Sequence, residues 1–128
     1  MVVDTSAILA IIFEEQDADL FLGKLARARS RQTSVVSYVE ASMLMISRRG
    51  TGAEDELNLM LSESEIAIAP VDIDQAKLAS AAFRKYGKGR HPAGLNFGDC
   101  FSYALAKDCA EPLLFKGNDF TKTDISVA

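Results

Sequence analysis

Hydrophobic residues recur along the chain at two spacings. Short aliphatic or β-branched stretches at 1–4 (MVVD), 32–37 (QTSVVS), 66–71 (IAIAPV) and 112–117 (PLLFKG) predict buried strands. Between them the apolar positions repeat every three to four residues. This predicts helices over 7–15, 17–29, 38–49, 53–64 and 73–86, and one opening within 95–107, LNFGDCFSYALAK. Thr5 and Ser6 have the chemistry of a capping pair for the first helix, while Gly50 and Gly87 stop the third and fifth. Residues 87–98, GKGRHPAGLNFG, form a loop punctuated by glycine and proline, and NDFTKTDI trails the last strand. Strands alternating with helices predict an α/β sandwich around a mainly parallel sheet, with 1–128 as a single domain. In such sheets sites gather at the carboxyl ends of the strands.

Four acids fall where that scaffold would otherwise take apolar or merely capping residues. Asp4 ends the first strand, Glu40 lies inside YVEASMLMI, Asp99 sits in the first turn of a largely buried helix, and Asp119 follows the last strand. Each has a structural alternative. Asp4 can bond the next turn, Asp99 can complement a helix dipole, and Asp119 can be a turn residue after Gly117-Asn118. Glu40 on an exposed stripe would have Arg48 and Arg49 as partners, but those lie beyond the i,i+4 spacing that supports a pair. Four acids at one sheet edge would repel, and a divalent cation with oxygen preference, Mg²⁺ or Mn²⁺, resolves that repulsion. The chemistry expected is metal-dependent hydrolysis of a phosphate ester. Asp4 and Asp99 would hold the metal directly, Asp119 directly or through water, and Glu40 would ligate it or orient the attacking water.

Composition changes this picture little. Of 128 residues, 48% are hydrophobic and none is tryptophan, which is the profile of a folded globule. No apolar run reaches the roughly 18–20 residues of a membrane helix, and the N-terminus lacks the basic start of a signal peptide, so a cytoplasmic protein is expected. Cys100 and Cys109 lie nine positions apart on one predicted helix, a spacing that suits neither a disulfide nor a zinc motif. Net charge is −4, yet 84–91, RKYGKGRH, carries four Lys or Arg residues and no acid. Such a segment is either a solvated surface or a local phosphate contact. Lys85, Lys88 and Arg90 are therefore candidate phosphate contacts, as are Thr5, Ser6 and Asn118, whose alternatives are capping and turn roles. His91 has no Ser or Cys partner in sequence, which disfavours it as a base for a nucleophile, and disfavours Cys100 as that nucleophile.

VDTSA, the isolated Glu40, GKGRHPAGLNFGDCFSYALAK and LLFKGNDFTKTDI together resemble PIN-domain ribonucleases. More narrowly, they resemble the VapC toxins of VapBC toxin–antitoxin pairs, over essentially the whole chain. The resemblance implies a PIN-like α/β/α sandwich and an acidic site at Asp4, Glu40, Asp99 and Asp119, with Asp124 close enough in sequence to compete for the last place. It also implies Mg²⁺- or Mn²⁺-dependent endonuclease action on tRNA, rRNA or mRNA, leaving a 5′-phosphate and a 3′-hydroxyl. A homodimer silenced by a cognate VapB-type antitoxin, whose C-terminal segment fills the groove, is implied as well. Gly98 is expected to keep the approach to Asp99 open.

Other classes fit less well. An aspartyl phosphotransferase of the haloacid dehalogenase pattern needs an acid where Ser6 stands, and a receiver domain needs an acid pair near the first strand. No GxxxxGK[ST] loop or GxSxG elbow is present. A catalytically silent PIN-like binding module, or another metal-dependent phosphatase or nuclease, remain the alternatives.

Overall fold

The computed structural model describes residues 1–128. Four parallel strands, β1 (Val2–Val3), β2 (Gln32–Ser34), β3 (Ala67–Ala69) and β4 (Leu113–Leu114), form one sheet in the order β3-β2-β1-β4. Six helices surround it: α1 (Thr5–Ile12), α2 (Ala18–Arg27), α3 (Val35–Arg49), α4 (Glu54–Glu63), α5 (Ile73–Tyr86) and α6 (Phe97–Cys109). A 3₁₀ turn, Phe120–Lys122, follows β4. The expected α/β class and parallel sheet are both observed, and no helix is long and apolar enough to cross a membrane.

Strand alternation explains how so short a sheet separates two cores. Val2 and Leu113 face a layer built with Ala79, Tyr86, Leu95, Tyr103 and Leu105 of the α5–α6 side. Their neighbours Val3 and Leu114 face the other way, onto Ile8, Phe21, Met45, Leu57 and Leu61 of α1–α4. All four strand residues are fully buried or nearly so, which is why the pattern reads as continuously apolar.

Several boundaries differ from those expected, two of them because a cap outranks an apolar run. β2 stops at Ser34 instead of 37, since the Ser34 side chain accepts from Val36 N and opens α3 three residues early. The first helix begins at Thr5, and its cap is Asp4 rather than the Thr5-Ser6 pair. β4 ends at Leu114, so only Phe115 of the remaining PLLFKG residues is buried, and Lys116–Asp119 run exposed past the sheet edge. The third helix does end at Gly50, whose φ of 87° suits glycine.

Candidate active site

Each acid is delivered to the carboxyl edge of the sheet by a different element. Asp4 leaves β1 as the cap of α1, and it is 3% exposed. Its Oδ2 accepts from Ser6 N at 3.0 Å and Ser6 Oγ at 2.6 Å, and its Oδ1 accepts from Ser102 Oγ at 2.6 Å. Asp99 lies three residues into α6 and forms a capping box with Asn96. Asp99 N donates to Asn96 Oδ1 at 2.9 Å and Asn96 N donates to Asp99 Oδ2 at 3.0 Å. Glu40 sits beside the buried Ser37–Ala41–Met45 stripe of α3, half-buried against Gly98. Asp119 is exposed at the start of the 3₁₀ turn.

Gly98 corrects one expectation. It does not leave an open approach: an added Cβ would stand 2.8 Å from both Cδ and Oε1 of Glu40. The absent side chain is the seat of the Glu40 carboxylate, which thereby reaches the N-terminal turn of α6, where negative charge is tolerated.

The four acids act on one another. Burial pushes the Asp99 carboxyl up to about 7, and Asp4, Glu40 and Asp119 each push it further in the same direction, against the lowering effect of the Asn96 N–H bond. None of the four joins an ion pair: the five in the structure engage Glu111, Glu65, Glu56, Asp124 and Glu15. Asp124 belongs elsewhere. It accepts from Tyr103 Oη at 2.6 Å and pairs with Lys107 at 2.8 Å, and these bonds lower its carboxyl to about 2.

The candidate RNA contacts are not brought together. Lys85 leans over the Tyr86 ring, on the Asp124 side of the molecule. Lys88 and Arg90 are exposed on the loop after α5, which Lys122 ties to the segment following Asp119 through Pro92 O. Thr5 is buried, donating to Ser37 O at 3.3 Å, and Ser6 is engaged with Asp4 and with Lys116 N. The Asn118 side chain is exposed, while its carbonyl accepts from Thr121. His91 Nδ1 accepts from Ala93 N inside its own loop, and burial pushes the Cys100 thiol up to about 11, so neither has the setting of a nucleophilic pair. Both cysteines are free thiols.

Two polar residues escaped the reading of the sequence. Ser37 and Ser102 are fully buried beneath Asp4. The available signal was spacing: Ser37 lies three residues before Glu40 and Ser102 three after Asp99, so each shares a helix face with an acid.

A divalent cation suits this donor set, which is all carboxylate and hydroxyl oxygen and carries uncompensated negative charge. No three of the side chains converge into a ready metal shell. Asp99 Oδ2 is turned to the capping box and Asp4 to its serines, which leaves Asp99 Oδ1 and the Glu40 carboxylate without hydrogen-bond partners.

Comparison with known proteins places the fold in a family. A family model described as PIN domain matches residues 1–126, so the chain belongs to the PIN-domain family. A Ribonuclease VapC of Mycolicibacterium smegmatis is 51% identical over 126 residues, covering 98% of each chain. Ribonuclease VapC30 of Mycobacterium tuberculosis is 48% identical over 98% of this chain and 96% of its own. Within the PIN domains, then, this one stands with the VapC ribonucleases. Among solved structures, VapC20 of M. tuberculosis, described as a sarcin-ricin loop cleaving toxin, superposes with a TM-score of 0.77 at 16% identity, covering 99% of this chain and 97% of that one. A chain of a toxin–antitoxin complex from Klebsiella pneumoniae gives 0.75 at 19%, covering 99% and 95%. At those identities the likeness is one of fold.

Proposed function

We propose that this chain is the ribonuclease toxin of a VapBC pair, a cytoplasmic endoribonuclease that uses Mg²⁺ or Mn²⁺. The observation that carries the reading is the meeting of Asp4, Glu40, Asp99 and Asp119 from four separate elements with no cationic side chain paired to any of them, so that Asp99, already raised by burial, is pushed further by the other three. Asp4, Asp99 and Asp119 would hold the cation, which when bound supplies a water of lowered pKa and neutralises charge developing on the phosphate. The chain's own residues do the rest. Glu40, resting on Gly98, orients the attacking water and accepts its proton. Lys88 and Arg90 on the rim bind RNA phosphates.

The substrate is tRNA, rRNA or mRNA, and the partner is a cognate VapB-type antitoxin. An exposed apolar belt adjoins the acids: Val39, Met43, Leu44 and Phe97 line a hollow of about 500 Å³ that also contains Glu40. Such a belt on a soluble surface supports protein contacts next to the site, including assembly as a homodimer. The test is cleavage of mixed cellular RNA by partner-free protein with Mn²⁺ or Mg²⁺, against Asp99→Asn. Cleavage by the wild type alone, with 5′-phosphate ends, is the expected result. No cleavage with either metal points instead to a silent binding module.

A further inference from the structure

Ser37 and Ser102 bear no charge and touch no solvent, yet their hydroxyls form a directed chain ending on Asp4. Ser102 Oγ donates to Asp4 Oδ1 at 2.6 Å, and Ser37 Oγ lies 3.0 Å from Ser102 Oγ. A hydroxyl carries one proton. That of Ser102 goes to the carboxylate, so Ser37 is the donor to Ser102. On the other oxygen, Lys116 N donates to Ser6 Oγ at 3.0 Å and Ser6 Oγ donates to Asp4 Oδ2 at 2.6 Å. Hydrogen bonds from α3, α6 and the segment after β4 thus converge on one carboxylate, and aligned chains of this kind strengthen one another. Serines inside helices ordinarily face water or bond back to their own helix. These two do neither, although alanine would suit both helices better.

We propose that Ser37 and Ser102 are positioning residues that fix the Asp4 carboxylate for cation binding, Ser102 directly and Ser37 through Ser102. The proposal rests on the metal-site reading given above. Groups that hold a metal ligand in orientation typically contribute about 10–100-fold in affinity.

The test is titration of Mn²⁺ into the full chain, with free Mn²⁺ followed by electron paramagnetic resonance, for wild type, Ser102→Ala, Ser37→Ala and the double variant. Thermal melts are run in parallel. Ser102→Ala is expected to weaken Mn²⁺ binding about tenfold, and Ser37→Ala by a smaller factor. The double variant should bind no more weakly than Ser102→Ala alone, because Ser37 acts only through Ser102. RNA cleavage at limiting Mn²⁺ should fall in step and recover with excess Mn²⁺, with KM for RNA unchanged. Wild-type affinity in Ser102→Ala, or additive losses in the double variant, overturns the relay. If Ser102→Ala does not fold, Ser37→Ala decides alone, and unchanged affinity there also overturns it. A wild-type chain that binds no Mn²⁺ is a different result, removing the metal-site reading and this inference together.

Discussion

Substituting Gly98 by alanine separates what the site needs from what the fold needs. The new Cβ would stand 2.8 Å from Glu40 Cδ and Oε1, too close for either to remain. The atoms that meet it are the far end of a flexible side chain, so Glu40 swings away and the α6 backbone stays. Displacing Glu40 from its rotamer costs about 0.5–1.5 kcal/mol. Alanine in place of glycine within a helix returns up to about 1 kcal/mol. The balance lies within about 1 kcal/mol of zero, so the melting temperature shifts by about 5 °C at most. Activity does not share that compensation. Glu40 leaves the neighbourhood of Asp99, and metal-dependent cleavage falls about 10²–10⁴-fold, the usual contribution of a general base. The assay is RNA cleavage at saturating Mn²⁺ beside a thermal melt of the same preparation. Wild-type cleavage by a well-folded Gly98→Ala would refute the role given to Glu40. A fall in melting temperature of about 10 °C or more would show that the backbone moved and that the steric reasoning is wrong.

The raised Asp99 carboxyl has a stability consequence whose sign is fixed. Between about pH 4, where an unfolded Asp titrates, and about 7, the folded chain holds a proton that the unfolded chain has released. Stability therefore falls as pH rises through that window and levels off above it. Melts in chelator from pH 4.5 to 8 should show this decline, and Asp99→Asn should flatten it; an equal slope in the variant sinks the assignment. Asp119→Asn should lower cleavage at least about tenfold, whereas Asp124→Asn, which loosens a surface pair with Lys107 while its amide oxygen can still accept from Tyr103, should keep the wild-type rate and lose under about 1 kcal/mol of stability. The reverse pattern in cleavage assays would exchange their roles. Charging the apolar belt with Val39→Glu and Met43→Glu should turn a dimeric wild type into a monomer by light scattering, and a monomeric wild type removes the homodimer reading.

What was legible in the sequence follows from which interactions are local. The strands, and the acids at their ends, could be placed because short aliphatic runs and unmatched carboxylates are visible in isolation. Cap positions were harder. Val35 and Val36 look like strand, and only the bond from Val36 N to Ser34 makes them helix. Ser37 and Ser102 were passed over because a small polar residue in a helix is unremarkable until its partner, 65 positions away in the chain, is known. Lys85 reads with Lys88 and Arg90 as one basic segment, but as the penultimate residue of α5 it turns towards Tyr86 and Asp124 while Lys88 and Arg90 lie on the loop that follows. Asp119 and Asp124 could not be told apart by spacing, and it is the bonds from Tyr103 and Lys107 that draw Asp124 away.

The fold also explains how so many carboxylates are borne at one edge. Asp4 caps α1, Asp99 closes the capping box of α6, and Glu40 lies on the second residue of that same helix. Three of the four acids thus use the N-terminal ends of two helices, each worth about 0.3–1 kcal/mol to a nearby negative charge. A carboxylate pair 4 Å apart near a protein surface repels by about 4 kcal/mol, several times what one helix end supplies. The helices can therefore permit the cluster without neutralising it, and the shortfall adds to burial at Asp99, whose carboxyl burial raises first and the other three acids raise further. Two things remove it: a proton, which ties stability to pH, or a cation, which competes with that proton for the same oxygens. Helix ends that make the acids tolerable without satisfying them leave the site reason to bind metal. A chain that needed these residues only as caps would have no use for Glu40 on Gly98 at all.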